Sequence, residues 1–109
     1  MDIRITGKHI EITDEMKARI EEKVSGLTRF YSSVLDVEVI VEGEKDGQSN
    51  SVEVIARAKH NHTFVGKQTG AEIGRCADEA IEKVERQLVK QKQKERDNKH
   101  SSEVQKEIQ

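Results

Sequence analysis

Seven lysine and arginine side chains crowd the segment between residues 83 and 99, in a chain whose net charge is −2. Three acidic residues lie among them, which leaves +4 on this segment and −6 on the rest of the chain. Cations at this density bind phosphate oxygens and release counterions from a nucleic acid. The asymmetry therefore predicts a surface that meets a polyanion. The seven cations are Lys83, Arg86, Lys90, Lys92, Lys94, Arg96 and Lys99.

The spacing of this segment predicts that four of its cations lie on one side of a helix. At about 100° per residue, the apolar residues between 73 and 88 fall on one arc, and the four cations fall on a second arc centred about 130° away. The apolar arc consists of Ile73, Ala77, Ala80, Ile81, Val84 and Leu88, and the basic arc of Lys83, Arg86, Lys90 and Lys94. We expect the first arc to pack on a core and the second to face outward.

Two other interpretations of the basic segment remain open. A charge run often forms only the solvated face of a helix, although this one has few glutamate partners four residues away. A coiled coil needs apolar residues over several heptads, whereas this stripe ends near Leu88 and Val89.

Residues typical of catalytic or metal sites are sparse. His60 and His62 flank Asn61 without further ligands at suitable spacing, which favours a polar hairpin turn over a metal site. The one cysteine, Cys76, excludes an internal disulfide and is expected to be a small core residue. No nucleophile–base pair or phosphate-binding glycine loop is evident. We therefore expect a protein that is not an enzyme and uses no cofactor, metal or small-molecule substrate.

The rest of the chain must position the basic helix, and its patterns predict five further elements. Ile3 and Ile5 alternate with polar residues as in a strand, and Thr13 or Asp14 can cap a first helix. The apolar stripe of that helix consists of Met16, Ile20, Val24 and Leu27. Next come three strands, a loop and the last helix. Their expected ranges are 37–42, 52–59 and 63–65 for the strands, 66–70 for the loop and about 71–98 for the helix.

The order β-α-β-β-β-α predicts an α+β fold resembling a double-stranded-RNA-binding domain, with a four-stranded mixed sheet and two helices packed on one face. A hydrophobic fraction of 33% allows only a small core in 109 residues. We expect one domain over residues 1–98 and a mobile tail over 99–109, which lacks an apolar face. No segment resembles a signal peptide or a membrane span, so we expect a cytoplasmic protein without membrane contact.

Two motifs resemble the family of ribosome hibernation promoting factors and the ribosome-associated inhibitor. The first is the opening Ile5-Thr6-Gly7-Lys8-His9-Ile10-Glu11-Ile12-Thr13. The second runs from Asp78 to Lys94 and contains Lys-x-x-Arg-Gln-Leu followed by lysines at alternate positions. The resemblance covers about residues 2–96. It departs where the family's Asp-hydrophobe-Tyr trio is replaced by Glu72-Ile73-Gly74.

The resemblance implies a domain that binds the small subunit of the 70S ribosome between head and body, near the decoding centre. There it would block the tRNA and mRNA sites sterically and silence translation under stress. The positions implied to contact ribosomal RNA are Lys83, Arg86, Lys90, Lys92, Lys94, Lys23, Arg29 and Lys8. A monomer is the expected state in solution.

Further residues extend or limit this interface. Arg4, Arg57 and Lys59 are expected on the outer face of the sheet, where they either add to the basic surface or pair with glutamates of neighbouring strands. Aromatic residues are few, and Phe30 and Phe64 are expected in the core, so shape and phosphate recognition of RNA fits better than base stacking. A general double-stranded-RNA-binding module, or an adaptor that docks its basic helix on an acidic protein, remains open.

Overall fold

Four strands and two main helices form the molecule, in the order that the sequence predicts. The computed structural model describes the backbone of residues 1–108 and the side chains of residues 1–97. Within this part of the chain, no helix combines the length and the apolar composition that crossing a bilayer requires. The elements are β1 (Asp2–Lys8), α1 (Asp14–Ser25), a 3₁₀ helix (Gly26–Arg29), β2 (Val34–Gly43), β3 (Asn50–Ala58), β4 (His62–Gly70) and α2 (Ile73–Ile108).

The sheet is mixed, and the helices cover one of its faces. Its strand order is β1-β2-β3-β4, with β1 parallel to β2 and the other two pairings antiparallel. Because side chains alternate along a strand, every second residue points toward the helices. The buried residues of this face include Val37, Val39, Val41, Val52, Val54 and Ala56, and the helices bury Ile20, Val24, Ala80, Val84 and Leu88. The predicted fold class is therefore confirmed.

The start of α1 is fixed by Thr13. Its hydroxyl oxygen accepts a hydrogen bond from the Met16 amide at 3.2 Å, so Thr13 is the N-cap and Asp14 is the first helical residue. The first turn also holds Glu15, and its negative charge is favourable at this end of the helix dipole. The helix then tightens into the 3₁₀ helix at Gly26.

Strand β4 is longer than predicted, since it includes the stretch from Gly66 to Gly70 that the sequence assigns to a loop. The reason for a glycine at position 66 is packing against α2. A Cβ at Gly66 would overlap the carbonyl oxygen of Ala80 and would lie 3.0 Å from the Cβ of Lys83. Gly66 thus lets the backbone of α2 approach β4 closely, which is one reason for a glycine inside a strand.

The last helix differs from its prediction at both ends. It begins at Ile73 and its backbone is helical to Ile108, beyond the expected end near residue 98. The predicted tail over 99–109 lies outside the residues whose side chains the structure describes. The division into a domain over 1–98 and a tail therefore remains a prediction.

Replacing Gly66 by alanine is expected to lower the free energy of unfolding by about 3 kcal/mol, because either α2 or β4 must shift to admit the methyl group. Gly26 is the matched control, since nothing lies within 4 Å of a Cβ there and its φ is −77°. We expect Gly26→Ala to stabilise the protein by about 0.5 kcal/mol. Urea denaturation measures both values, and a neutral Gly66→Ala variant would contradict the close contact.

Candidate nucleic-acid interface

Exposed cations lie close together on the distal part of α2. Lys90, Lys92 and Lys94 are exposed, and none of the three takes part in an ion pair with another described side chain. Arg86 lies 3.8 Å from Glu82, and an exposed pair at this distance contributes little. The predicted separation of a packed apolar arc and an exposed basic arc is confirmed. Lys99 lies beyond the described side chains.

Lys83 is held against the edge strand β4. Its ammonium group donates hydrogen bonds to the Lys67 carbonyl oxygen at 2.7 Å and to the side-chain oxygen of Gln68 at 2.8 Å. One turn further along α2, the Gln87 amide donates to the Val65 carbonyl oxygen at 2.7 Å. An edge strand is a template for unwanted strand addition, and covering it with a helix prevents this. Lys83 therefore has a structural role that the sequence does not indicate.

The end of α1 and the 3₁₀ helix that follows it bring two of the predicted cations, Lys23 and Arg29, beside α2. Lys23 forms an ion pair with Asp78, and Arg19 pairs with the same carboxylate at 3.2 Å. Gly74 leaves room for Arg19, whose guanidinium lies 3.1 Å from the position of an added Cβ. Arg29 is exposed, and with Lys23 it lines a groove of about 540 Å³. Lys23 and Arg29 thus lie close to α2, although Asp78 offsets part of the charge of Lys23.

Lys8 lies at the other end of the molecule from the exposed cations of α2. It is in register with Glu42, and the same row continues through Ser51 to Thr69, just before α2 begins. Since α2 runs back along β4 from this end, residues 90–96 lie near the β3–β4 turn. The structure does not bring Lys8 together with them.

The outer face of the sheet carries both basic and acidic side chains. Arg57 pairs with Asp36 at 3.0 Å and with Glu38 at 3.3 Å, and these carboxylates raise the pKa of its guanidinium. Arg4 is in register with Glu38 on the same face. Lys59 follows the last residue of β3 and is exposed in the turn. Cross-strand ion pairing, one of the two alternatives from the sequence, accounts for Arg57.

The distal part of α2 is joined to the domain through Tyr31, which is 4% exposed. Its hydroxyl donates a hydrogen bond to Glu95 at 2.6 Å, and its ring meets Phe64 edge-on with centroids 6.1 Å apart. The bond to Glu95 and burial raise the pKa of the Tyr31 phenol. Hydrogen bonds from Tyr31 and Gln91 lower the pKa of the Glu95 carboxyl. The contact therefore favours a neutral phenol and an ionised carboxylate.

The sequence does not predict the contact between Tyr31 and Glu95, because local spacing assigns Tyr31 to a turn. One signal for it does exist. Gln91 and Glu95 lie on the same side of α2 as the buried stripe that ends at Leu88, at helical spacing, although Gln91 is half-buried and Glu95 is exposed. A carboxylate on this side of the helix faces the rest of the domain, where the lone tyrosine is a suitable hydrogen-bond donor.

The residues considered for metal or redox chemistry, His60, His62 and Cys76, lie in or beside a turn or in the core. The described residues contain no group of three or more His, Cys, Asp or Glu side chains placed to hold a metal ion. His60 and Asn61 have φ values of 64° and 61°, a left-handed conformation that reverses the chain between β3 and β4. Cys76 is 3% exposed, as expected for a core residue, and burial raises the pKa of its thiol. A thiol in that state is a poor nucleophile.

Comparisons with known proteins agree in fold and in sequence. The model of the family described as "Sigma 54 modulation protein / S30EA ribosomal protein" matches residues 3–96. A ribosome hibernation promoting factor from Azotobacter vinelandii is 33% identical over 101 residues, which cover 86% of this chain and 85% of that protein. One from Pseudomonas putida is 27% identical, with coverage of 86% and 89%. The N-terminal domain of Thermus thermophilus Protein Y has a similar fold, with a TM-score of 0.73, 22% identity and coverage of 83% and 98%.

Lys83→Ala is expected to lower the free energy of unfolding by about 1 kcal/mol, because its hydrogen bonds to β4 are lost. Lys90→Ala removes an exposed cation from the same arc and is the matched control, with an expected change below about 0.5 kcal/mol. Chemical denaturation measures both. Equal stabilities of the two variants would contradict the structural role of Lys83.

The titration of Tyr31 is expected to report its contact with Glu95, since the chain contains one tyrosine and no tryptophan. Tyrosinate absorbance should appear above the ordinary pKa of 10.0. The contribution of the contact to stability is complete below that value and is lost as pH rises through the raised pKa. On the acid side it is lost as pH falls through the lowered pKa of Glu95. Glu95→Ala should lower the midpoint, and an unchanged midpoint would exclude the contact.

Proposed function

The chain belongs to the Sigma 54 modulation protein / S30EA ribosomal protein family, and from this we propose that it is a ribosome hibernation factor that silences translation under stress. Its binding site is the small ribosomal subunit near the decoding centre. There it excludes tRNA and mRNA by occupying their sites. The names of its relatives from Azotobacter vinelandii and Pseudomonas putida support the ribosome-associated hibernation role.

The observation that carries the proposal is the group of exposed cations on the distal part of α2, with Lys90 and Lys94 on one side of the helix and Lys92 on the other. Lys90, Lys92 and Lys94 have no acidic partner among the described side chains. A phosphate backbone therefore meets them without displacing an existing ion pair. Each such contact contributes to an affinity that decreases as salt concentration rises. Arg86 on the same helix, and Lys23 and Arg29 in the groove beside Glu85 of α2, are further proposed contacts.

The distribution of aromatic residues favours folded RNA as the ligand. Phe64 is 8% exposed and Tyr31 is 4% exposed, so both rings belong to the core. Phe30 packs against the same core and is partly buried. Recognition of single-stranded RNA by stacking needs rings exposed on a platform. Contacts to phosphates and to the shape of a folded RNA need only the cations and a rigid helix, which supports ribosomal RNA as the ligand.

The mode of action that follows is binding without catalysis. We propose a cytoplasmic monomer that requires no cofactor or small-molecule substrate, because phosphate contacts and steric exclusion are sufficient to block the sites. The outer face of the sheet takes little part in RNA binding, since Arg57 is already paired with Asp36 and Glu38.

The double variant Lys90→Glu, Lys94→Glu is expected to weaken binding to small ribosomal subunits by more than about tenfold and to reduce the salt dependence by about two phosphate contacts. The variant Lys17→Glu, Lys45→Glu changes the net charge equally at positions away from the distal part of α2, and it should bind like the unmodified protein. Co-sedimentation across a salt series measures both. Equal affinities of the two variants would contradict the proposed surface.

Two competitors separate the remaining alternatives in the same assay. A plain RNA duplex that displaces the protein as effectively as ribosomal subunits do would indicate a general double-stranded-RNA-binding module. Ribosome binding that is insensitive to excess free RNA would indicate an adaptor that recognises an acidic protein. We expect neither result.

A further inference from the structure

The distal basic segment of α2, residues 90–96, extends beyond the hydrophobic core. Leu88 is fully buried, but after it only Gln91 is half-buried among the described residues, and the others are exposed. A helical segment without tertiary packing is marginally stable in water. The cations Lys90, Lys92, Lys94 and Arg96 therefore stand where the core no longer holds the helix.

One hydrogen bond joins this segment to the rest of the domain. Tyr31 donates to Glu95 at 2.6 Å, and Gln91 donates to the same carboxylate oxygen at 3.2 Å from one turn earlier on α2. The donor itself is fixed, because Tyr31 is buried and packs edge-on against Phe64 of β4. Among the hydrogen bonds and ion pairs of the described side chains after Leu88, the bond between Tyr31 and Glu95 is the one that reaches a residue outside α2.

The contact also determines the direction in which the cations point. Glu95 is exposed but lies on the same side of α2 as the buried stripe, and its neighbours Lys94 and Arg96 lie about 100° to either side of it. Lys90 lies one turn from Lys94 on one flank, and Lys92 one turn from Arg96 on the other. Holding Glu95 against Tyr31 therefore prevents rotation and fraying of the segment and fixes both basic flanks.

We propose that Tyr31 and Glu95 are positioning residues that hold the distal basic segment in the orientation in which its cations meet ribosomal RNA. This inference rests on the proposed function. Glu95 has two opposing effects on RNA binding in this role. As an anion beside four cations it weakens the attraction of a phosphate, yet it orders the helix that carries them.

The first test uses the isolated protein and needs no ribosome. Tyr31→Phe retains the ring and its packing on Phe64 but lacks the hydroxyl. Amide hydrogen exchange of residues 90–97 is expected to become about five- to tenfold faster in this variant, as the loss of one hydrogen bond predicts. Exchange in β2 and β3 should be unchanged. Unchanged exchange in residues 90–97 would overturn the positioning role.

The second test uses the sign of a change in affinity for small ribosomal subunits. Glu95→Ala removes a negative charge from a basic helix, so electrostatics alone predicts tighter binding. Positioning predicts binding about fivefold weaker, and Tyr31→Phe, which leaves the charge unaltered, should weaken it similarly. Asp97→Asn is the matched control. It removes a neighbouring anion for which the structure records no hydrogen bond or ion pair, and it is expected to bind equally or more tightly.

The outcomes distinguish this inference from the function on which it rests. Tighter binding of Glu95→Ala, or unaltered binding of Tyr31→Phe, would overturn the positioning role and leave the proposed function intact. Failure of the unmodified protein to bind small subunits would overturn the proposed function. The hydrogen-exchange result would still decide in that case whether Tyr31 and Glu95 order the helix.

Discussion

The position of α2 depends on a contact between two backbones, where Gly66 of β4 meets the carbonyl of Ala80. A side chain at Gly66 would push the helix away from the sheet. With the helix at this distance, Val84 and Leu88 fill the core, and Lys83 and Gln87 reach the edge of β4. The far end of the same helix then lies beside Tyr31. Core packing, coverage of the β4 edge and the placement of the cations thus all require that position 66 carry no side chain.

Several of the basic side chains in this protein are neutralised by ion pairs. Asp78 offsets Arg19 and Lys23 between the helices, and acidic partners on β2 offset Arg57 on the sheet. Four described cations without an ion pair, Lys90, Lys92, Lys94 and Arg96, lie within seven residues of each other on the distal part of α2. An acidic chain therefore presents a local positive field, which attracts a polyanion while the net negative charge disfavours non-specific association. We propose that the position of the unpaired charges selects the ligand, more than the total charge does.

Local periodicity was sufficient to predict the fold, because alternating valines such as Val39 and Val41 identify strands whatever lies across from them. It failed at Gly66, since a glycine that admits a helix and a glycine that ends a strand look alike in sequence. It also failed at Tyr31, whose partner Glu95 is 64 positions away. Charge and periodicity predict the basic helix, and the resemblance to hibernation factors agrees with them. The resemblance did not distinguish Lys83, which is held by β4, from the solvated Lys90, because that distinction depends on tertiary contacts.

The parallel pairing of β1 with β2 affects how the protein assembles. Asp2 and Asp36 are partners in that ladder and are separated by the whole of α1, so closing it requires a long loop and is slow compared with the neighbouring hairpins. The helix α2 follows all four strands and needs β3 and β4 in place before it can dock. During synthesis, the surface proposed to bind a ribosome is therefore the last of the described elements to take shape on the ribosome that makes it.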